Sequence, residues 1–202
     1  MVGDKQFESA EETASSAINL FPGEGNGFAV CQSHRILGNI YRFKGEVEKA
    51  IHRHNLALRV ASSFDWYDQL FWAHYSQAEL FRDQGQFNDA HSHLERAKLH
   101  AVNDTYLMGR AVELQAWVWY RQHRLEEARL EAQRAVDIYG KAGAAKDAED
   151  CRGLLWCIQK ELNVDCGFPR TLLFLARIDF PSQLSGLNDG VDGDVEFFRC
   201  VL

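Results

Sequence analysis

Proline is scarce in this chain. Usage of about 5% would place roughly ten in a chain of this length, and the 202 residues hold three: Pro22, Pro169 and Pro181. Everything from Gly23 to Phe168 is therefore proline-free. Proline removes an amide donor and clashes with the preceding helical turn, so its absence leaves this span open to long helices. Long apolar runs are missing too. The run Leu172–Ala176 is far short of the ~20 residues that a bilayer-spanning helix needs. Met1–Ala10 is polar and acidic and lacks the apolar centre of a signal peptide. The five cysteines, Cys31, Cys151, Cys157, Cys166 and Cys200, are odd in number and irregularly spaced. That pattern disfavours a disulfide framework and suits reduced thiols in the cytoplasm. Positive charge is in deficit, with Lys and Arg at 22 against Asp and Glu at 29. A nucleic-acid binder needs a basic face to neutralise phosphates, so that class is set aside.

What the chain does have is a repeat. It is 46% hydrophobic, the composition of a folded domain. Ala10, Ala50, Ala90 and Ala128 are separated by 40, 40 and 38 residues. Seven residues on from each lie Ala17, Ala57, Ala97 and Ala135, and three before each lie Phe7, Val47, Phe87 and Leu125. Positions three and seven apart share a helix face. Alanine on that face lets two helix axes approach closely. Five residues before the anchors stand Gly45, Gly85 and His123, where a positive φ would end one helix and start a tight turn. Upstream of each turn a second helical stretch carries a small residue, Gly38, Ala78 or Ala116, followed three later by Tyr41, Phe81 or Trp119. The unit is a helical hairpin, repeated in series.

The pattern Leu37-Gly38-x-x-Tyr41…Gly45…Ala50…Ala57 resembles a tetratricopeptide repeat (TPR), in a long variant of about 40 rather than 34 residues. The resemblance covers roughly Lys5 to Leu162. It implies an all-α fold: a right-handed α-solenoid of antiparallel helix hairpins, with about eight helices in residues 1–162. The expected elements are a lone helix near Lys5–Phe21, hairpins near Phe28–Ala61, Phe64–Ala101 and Asp104–Tyr139, and a last helix near Asp147–Leu162. Phe21–Gly27 would be the first inter-repeat loop. Asn103-Asp104-Thr105 reads as a turn with a helix-capping residue, and Gly140-Lys141-Ala142-Gly143 as a helix stop and linker. The first helix has no partner ahead of it. Its side chains Phe7, Ala10, Ala14 and Ala17 would have one uncovered side, which suits either a piece of a longer array or self-association.

Residues 163–202 break every periodicity and read as an aperiodic, flexible tail. Two of the three prolines and the turn-rich run Asn188–Asp194 fall there. That run lacks the ligand spacing and terminal glutamate of a calcium loop.

No constellation for chemistry stands out. His52/His54 and His91/His93 are spaced by two, which on one helix points each pair to opposite faces. His93 and His100 share a face but lie about 10 Å apart along the axis, too far to bind one zinc. Metal and cofactor are therefore both expected to be none, and so is catalysis. The carboxylates Glu126, Glu127, Glu131, Asp147, Glu149 and Asp150 follow helical spacing and read as solvated surface.

Binding remains. In such an array the first helix of each hairpin lines the concave surface. The TPR pattern projects Arg35, Asn39 and Arg42 from the first unit, Trp72, Tyr75 and Arg82 from the second, and Arg110, Trp117, Tyr120 and Arg121 from the third. Gln32, Phe43, Glu79 and Glu113 accompany them. Arginine, tryptophan and tyrosine dominate interface energetics. Arg35, Asn39 and Arg110 match part of the carboxylate clamp of chaperone-binding TPR domains, while Ser76 and Leu114 depart from it. The expectation is a protein–protein interaction scaffold taking a peptide or partner segment, acidic in character. The alternative is the repeat arm of a larger signalling NTPase whose catalytic domain is absent from this chain.

Overall fold

The structure, a computed structural model, describes residues 2–20 and 27–165. These form eight helices, with no strand among the described residues: α1 (Val2–Leu20), α2 (Gly27–Phe43), α3 (Val47–Ser63), α4 (Tyr67–Asp83), α5 (Phe87–His100), α6 (Thr105–Arg121), α7 (Leu125–Ala142) and α8 (Ala145–Asp165). The all-α expectation holds. The loop holding Pro22 and the tail from residue 166, with its calcium-like run, lie outside the described residues. Each helix packs on its neighbours in the chain, and beyond them α2 packs on α4 and α4 on α6.

The turns explain the element boundaries. Gly45 and Gly85 have φ of 75° and 71°, and His123 takes the same left-handed position at 58°. The amides one residue later reach back to the helix. Glu46 N donates to Tyr41 O at 2.8 Å, Gln86 N to Phe81 O at 2.9 Å and Arg124 N to Trp119 O at 3.0 Å. This six-to-one closure satisfies a carbonyl that the helix end would otherwise orphan. Asp65 and Gly143 make the same turn between hairpins, at φ of 50° and 72°. The helix stop is therefore Gly143 alone, and Gly140–Ala142 belong to α7. The α5–α6 junction is different: Asp104 caps α6 by accepting from Leu107 N at 2.9 Å. Removing such a cap typically costs about 1 kcal/mol.

The alanine ruler forms the core. Ala50, Ala57, Ala90, Ala97, Ala128 and Ala135 are all at 0% exposure. Large side chains fill the gaps between the closely approaching helices. Phe71 and Tyr75 of α4, Leu94 of α5 and Leu107, Leu114 and Val118 of α6 share one cluster. Each fully buried leucine stabilises by roughly 1.5–3 kcal/mol relative to exposure. Gly38 marks the closest approach, because a Cβ there would lie 1.8 Å from Cδ2 of His54.

Repeat equivalence breaks at α8. Phe71, His74 and Ala78 of α4 are buried by packing on α5, with Phe81 half-buried beside them. The matching positions of α8 are Glu149, Arg152, Trp156 and Gln159, all exposed. A tryptophan stands where α2, α4 and α6 have Gly38, Ala78 and Ala116. At the other end, Ala10 and Ala17 of α1 are half-buried and Ala14 is buried.

Candidate partner-binding surface

The first helices of the hairpins, α2, α4 and α6, carry the projected residues. Arg42 on α2 donates from Nη1 to Asp83 Oδ2 of α4 at 3.1 Å and lies 3.7 Å from Glu79. Its guanidinium also sits 4.6 Å from the centre of the Phe43 ring. Asp83 accepts from Arg82 Nε and Nη2 at 3.1 and 2.8 Å as well. One carboxylate thus serves two arginines. Two turns nearer the start of α2, Arg35 lies 5.7 Å from the ring of Trp72 on α4. Trp72 meets Tyr75 edge-on at 5.5 Å, and Arg110 of α6 lies 5.4 Å from the Tyr75 ring. Arg110 also stands 3.8 Å from Glu113 and 3.9 Å from Asp147 of α8. Trp117 meets Tyr120 edge-on at 5.9 Å, and Tyr120 donates its hydroxyl to Glu161 of α8.

A single ladder of arginine, aromatic and carboxylate therefore crosses α2, α4, α6 and α8. Three of its rungs have the same spacing: Arg42–Asp83, Tyr106–Asp147 and Tyr120–Glu161 are each 41 residues apart. A helix face recurs with the repeat, so the same side-chain reach recurs with it.

Exposure divides the ten projected residues. Arg121 is exposed; Arg35, Asn39, Arg42, Trp72, Arg110, Trp117 and Tyr120 are half-buried; Tyr75 and Arg82 are buried. Tyr75 and Arg82 are thus withdrawn from the surface. Asp83, Asp147 and Glu161 also supply counter-charges to this set. Asp147, expected at a solvated face, points to Arg110 and Tyr106. The missing signal was the 41-residue spacing itself, which places an acid one repeat beyond Arg42 and beyond Tyr120.

Below the ladder lies a buried polar network. Tyr139 of α7 donates to Glu113 Oε2 at 2.6 Å. Burial pushes the Glu113 carboxyl and the Tyr139 hydroxyl above their ordinary values, against the pull of Arg110. Burial likewise raises the Cys31 thiol, to about 11, so it is inert as a nucleophile. Cys31, Cys151 and Cys157 are free thiols. Among the described residues, no group of three or more His, Cys, Asp or Glu is placed to hold a metal ion. No described helix is long and apolar enough to cross a membrane.

Compared with family models, curated proteins and solved structures, the chain matches none.

Proposed function

We propose that this chain is a TPR-like interaction scaffold. It is a right-handed α-solenoid whose helices α2, α4 and α6 present a concave surface to a peptide or partner segment. The observation that carries this reading is the ladder. One 41-residue rung joins α2 to α4 and two join α6 to α8, while Arg110 over Tyr75 links α6 to α4; side chains that meet from one repeat to the next suit the inner face of a stacked array. Packing mainly between chain neighbours, with α2 on α4 and α4 on α6, supports the same arrangement. The role is binding rather than catalysis, in the cytoplasm.

The charge pairing refines the partner. Arg42, Arg82 and Arg110 already face carboxylates, so an acidic segment would meet its open cation at Arg121, beside Trp117 and Tyr120. Binding of an acidic peptide array to Arg121→Glu and to Trp117→Ala tests this. The expected result is loss of most binding in both, at unchanged helicity by circular dichroism. Equal binding by wild type and both variants would sink the proposal.

A further inference from the structure

Histidine is concentrated on one side of the molecule. Of the eight, seven lie on α2 to α5, and the eighth, His123, stands in the α6–α7 turn. Three make contacts that require a neutral ring. His54 of α3 is at 0% exposure, packed over Gly38, and neither ring nitrogen meets a hydrogen-bond partner. His74 of α4 faces His93 of α5, Nδ1 to Nδ1 at 3.1 Å. One nitrogen must accept while the other donates, so the contact is lost if both carry protons. His34 of α2 has its Nδ1 3.5 Å from Arg53 Nη1 of α3. A guanidinium only donates, so this imidazole nitrogen must accept.

The cluster is tighter than spacing along one helix suggests. His93 and His100 are two turns apart on α5, and His74 enters between them from α4. Its ring lies 5.3 Å from His93 and 6.0 Å from His100, nearly parallel to the latter at 5°. Phe81 stacks on His93 at 5.3 Å. The charged and titratable groups facing these rings are mostly cationic. They are His52, Arg53 and Arg59 at His34; Arg42 and Arg35 of α2 and His93 of α5 at His54; and His93, His100 and Arg96 at His74. Asp89 facing His93 is the exception, opposite Arg96.

We propose that these histidines form an acid-operated latch, by which proton uptake below neutral pH opens the hairpins α2–α3 and α4–α5 while α6–α8 stay folded. Burial, then the neighbouring cations and histidines, lowers His34 and His74 to about 4 and His54 to about 3, from an ordinary value of 6.5. A group lowered on folding stabilises fully above its unfolded value and loses that contribution as pH falls toward its folded value. The window is therefore pH 6.5 down to about 4. Helices α6–α8 contain no histidine. Their half-buried carboxyl, Glu113, is raised by burial, so proton uptake there favours the folded state, opposite in sign to the histidines. Units of a helical array open locally because each contacts only its neighbours. The latch does not depend on what the concave surface binds.

Hydrogen exchange read by mass spectrometry on the full chain, from pH 7.5 to 4, tests the latch after correction for intrinsic exchange rates. Amides of α2–α5 should lose protection reversibly below pH 6.5, ahead of those of α6–α8. His54→Leu copies the residue that α5 carries as Leu94, and His93→Gln replaces the titrating partner of His74. Each should move the loss of protection down by about half a pH unit, since each removes one proton-uptake site. Should His54→Leu fail to fold at pH 7.5, His93→Gln decides by the same reading. Simultaneous loss of protection across α2–α8, or an unmoved midpoint in the folded variants, would overturn the proposal.

Discussion

Hairpin α2–α3 closes by placing the ring of His54 over Gly38, whereas α6–α7 buries Ala116 with Ala132. Equivalent positions of one repeat are thus filled by a glycine and a large ring in one hairpin and by two alanines in the other. The difference extends to polar groups. The groups buried in α2–α5 include the imidazoles of His34, His54 and His74, whereas in α6–α8 buried Tyr139 is joined by half-buried Glu113 and Arg110. A repeat fixes the backbone and the alanine stripe but leaves each hairpin free to choose its interior chemistry. That choice gives the two regions opposite responses to pH.

The largest expected effect tests that opposition. Going from pH 6.5 to 5.5 should destabilise the chain by about 1 kcal/mol for each of His34, His54 and His74, and roughly 3 kcal/mol together. The sign follows from folded values held below the ordinary 6.5. Glu113, raised by burial, acts the other way: its contribution is present at low pH and lost as pH rises through its folded value. Urea denaturation across this range measures the sum, and a flat profile would remove the contrast between the regions.

Next comes the volume exchange. Gly38→Ala places a Cβ 1.8 Å from His54, and overpacking of this kind costs about 2 kcal/mol. The double variant Gly38→Ala/His54→Leu copies the Ala78 and Leu94 pair of α4–α5 and should recover most of the loss. A neutral Gly38→Ala would mean that the two regions do not differ in the way claimed. On the other side, Tyr139→Phe deletes the 2.6 Å hydrogen bond to half-buried Glu113. About 1–2 kcal/mol should be lost, and the exchange protection lost with it should fall in α6–α8 rather than α2–α5.

The sequence spoke clearly where one residue type recurs for one physical reason. Alanine at Ala50, Ala90 and Ala128 predicted the close helix faces, and all three are fully buried. Gly45 and Gly85 predicted the left-handed turns, and Asp104 the cap of α6. Legibility failed where a contact joins helices that are not adjacent in the chain. Asp83 is unremarkable until α2 and α4 are side by side, and only then does it bridge Arg42 and Arg82. Along single helices the histidines cannot meet, while His74 reaches His93 across the hairpin. Tyr75 and Arg82 follow the helical register of the half-buried arginines and aromatics yet are buried, because side-chain burial depends on neighbours one repeat away.

The smallest effect concerns the turn that distinguishes the third hairpin. Gly45 and Gly85 take φ of 75° and 71° without penalty, while His123 is held at 58°. A side chain in this region costs roughly 1–2 kcal/mol, and glycine returns part of that through its greater freedom when unfolded. The His123 side chain is exposed, and its backbone bond to Tyr120 O at 2.9 Å would survive substitution. His123→Gly should therefore stabilise the chain by about 0.5 kcal/mol. Gly85→Ala should lose about 1 kcal/mol, and the loss is wholly backbone, because nothing lies within 4 Å of a Cβ built there. Urea midpoints of the two variants carry the decision. Movement in the same direction would mean that the turns of the two regions are not equivalent, and that the histidine at the third turn makes a contribution the glycines do not.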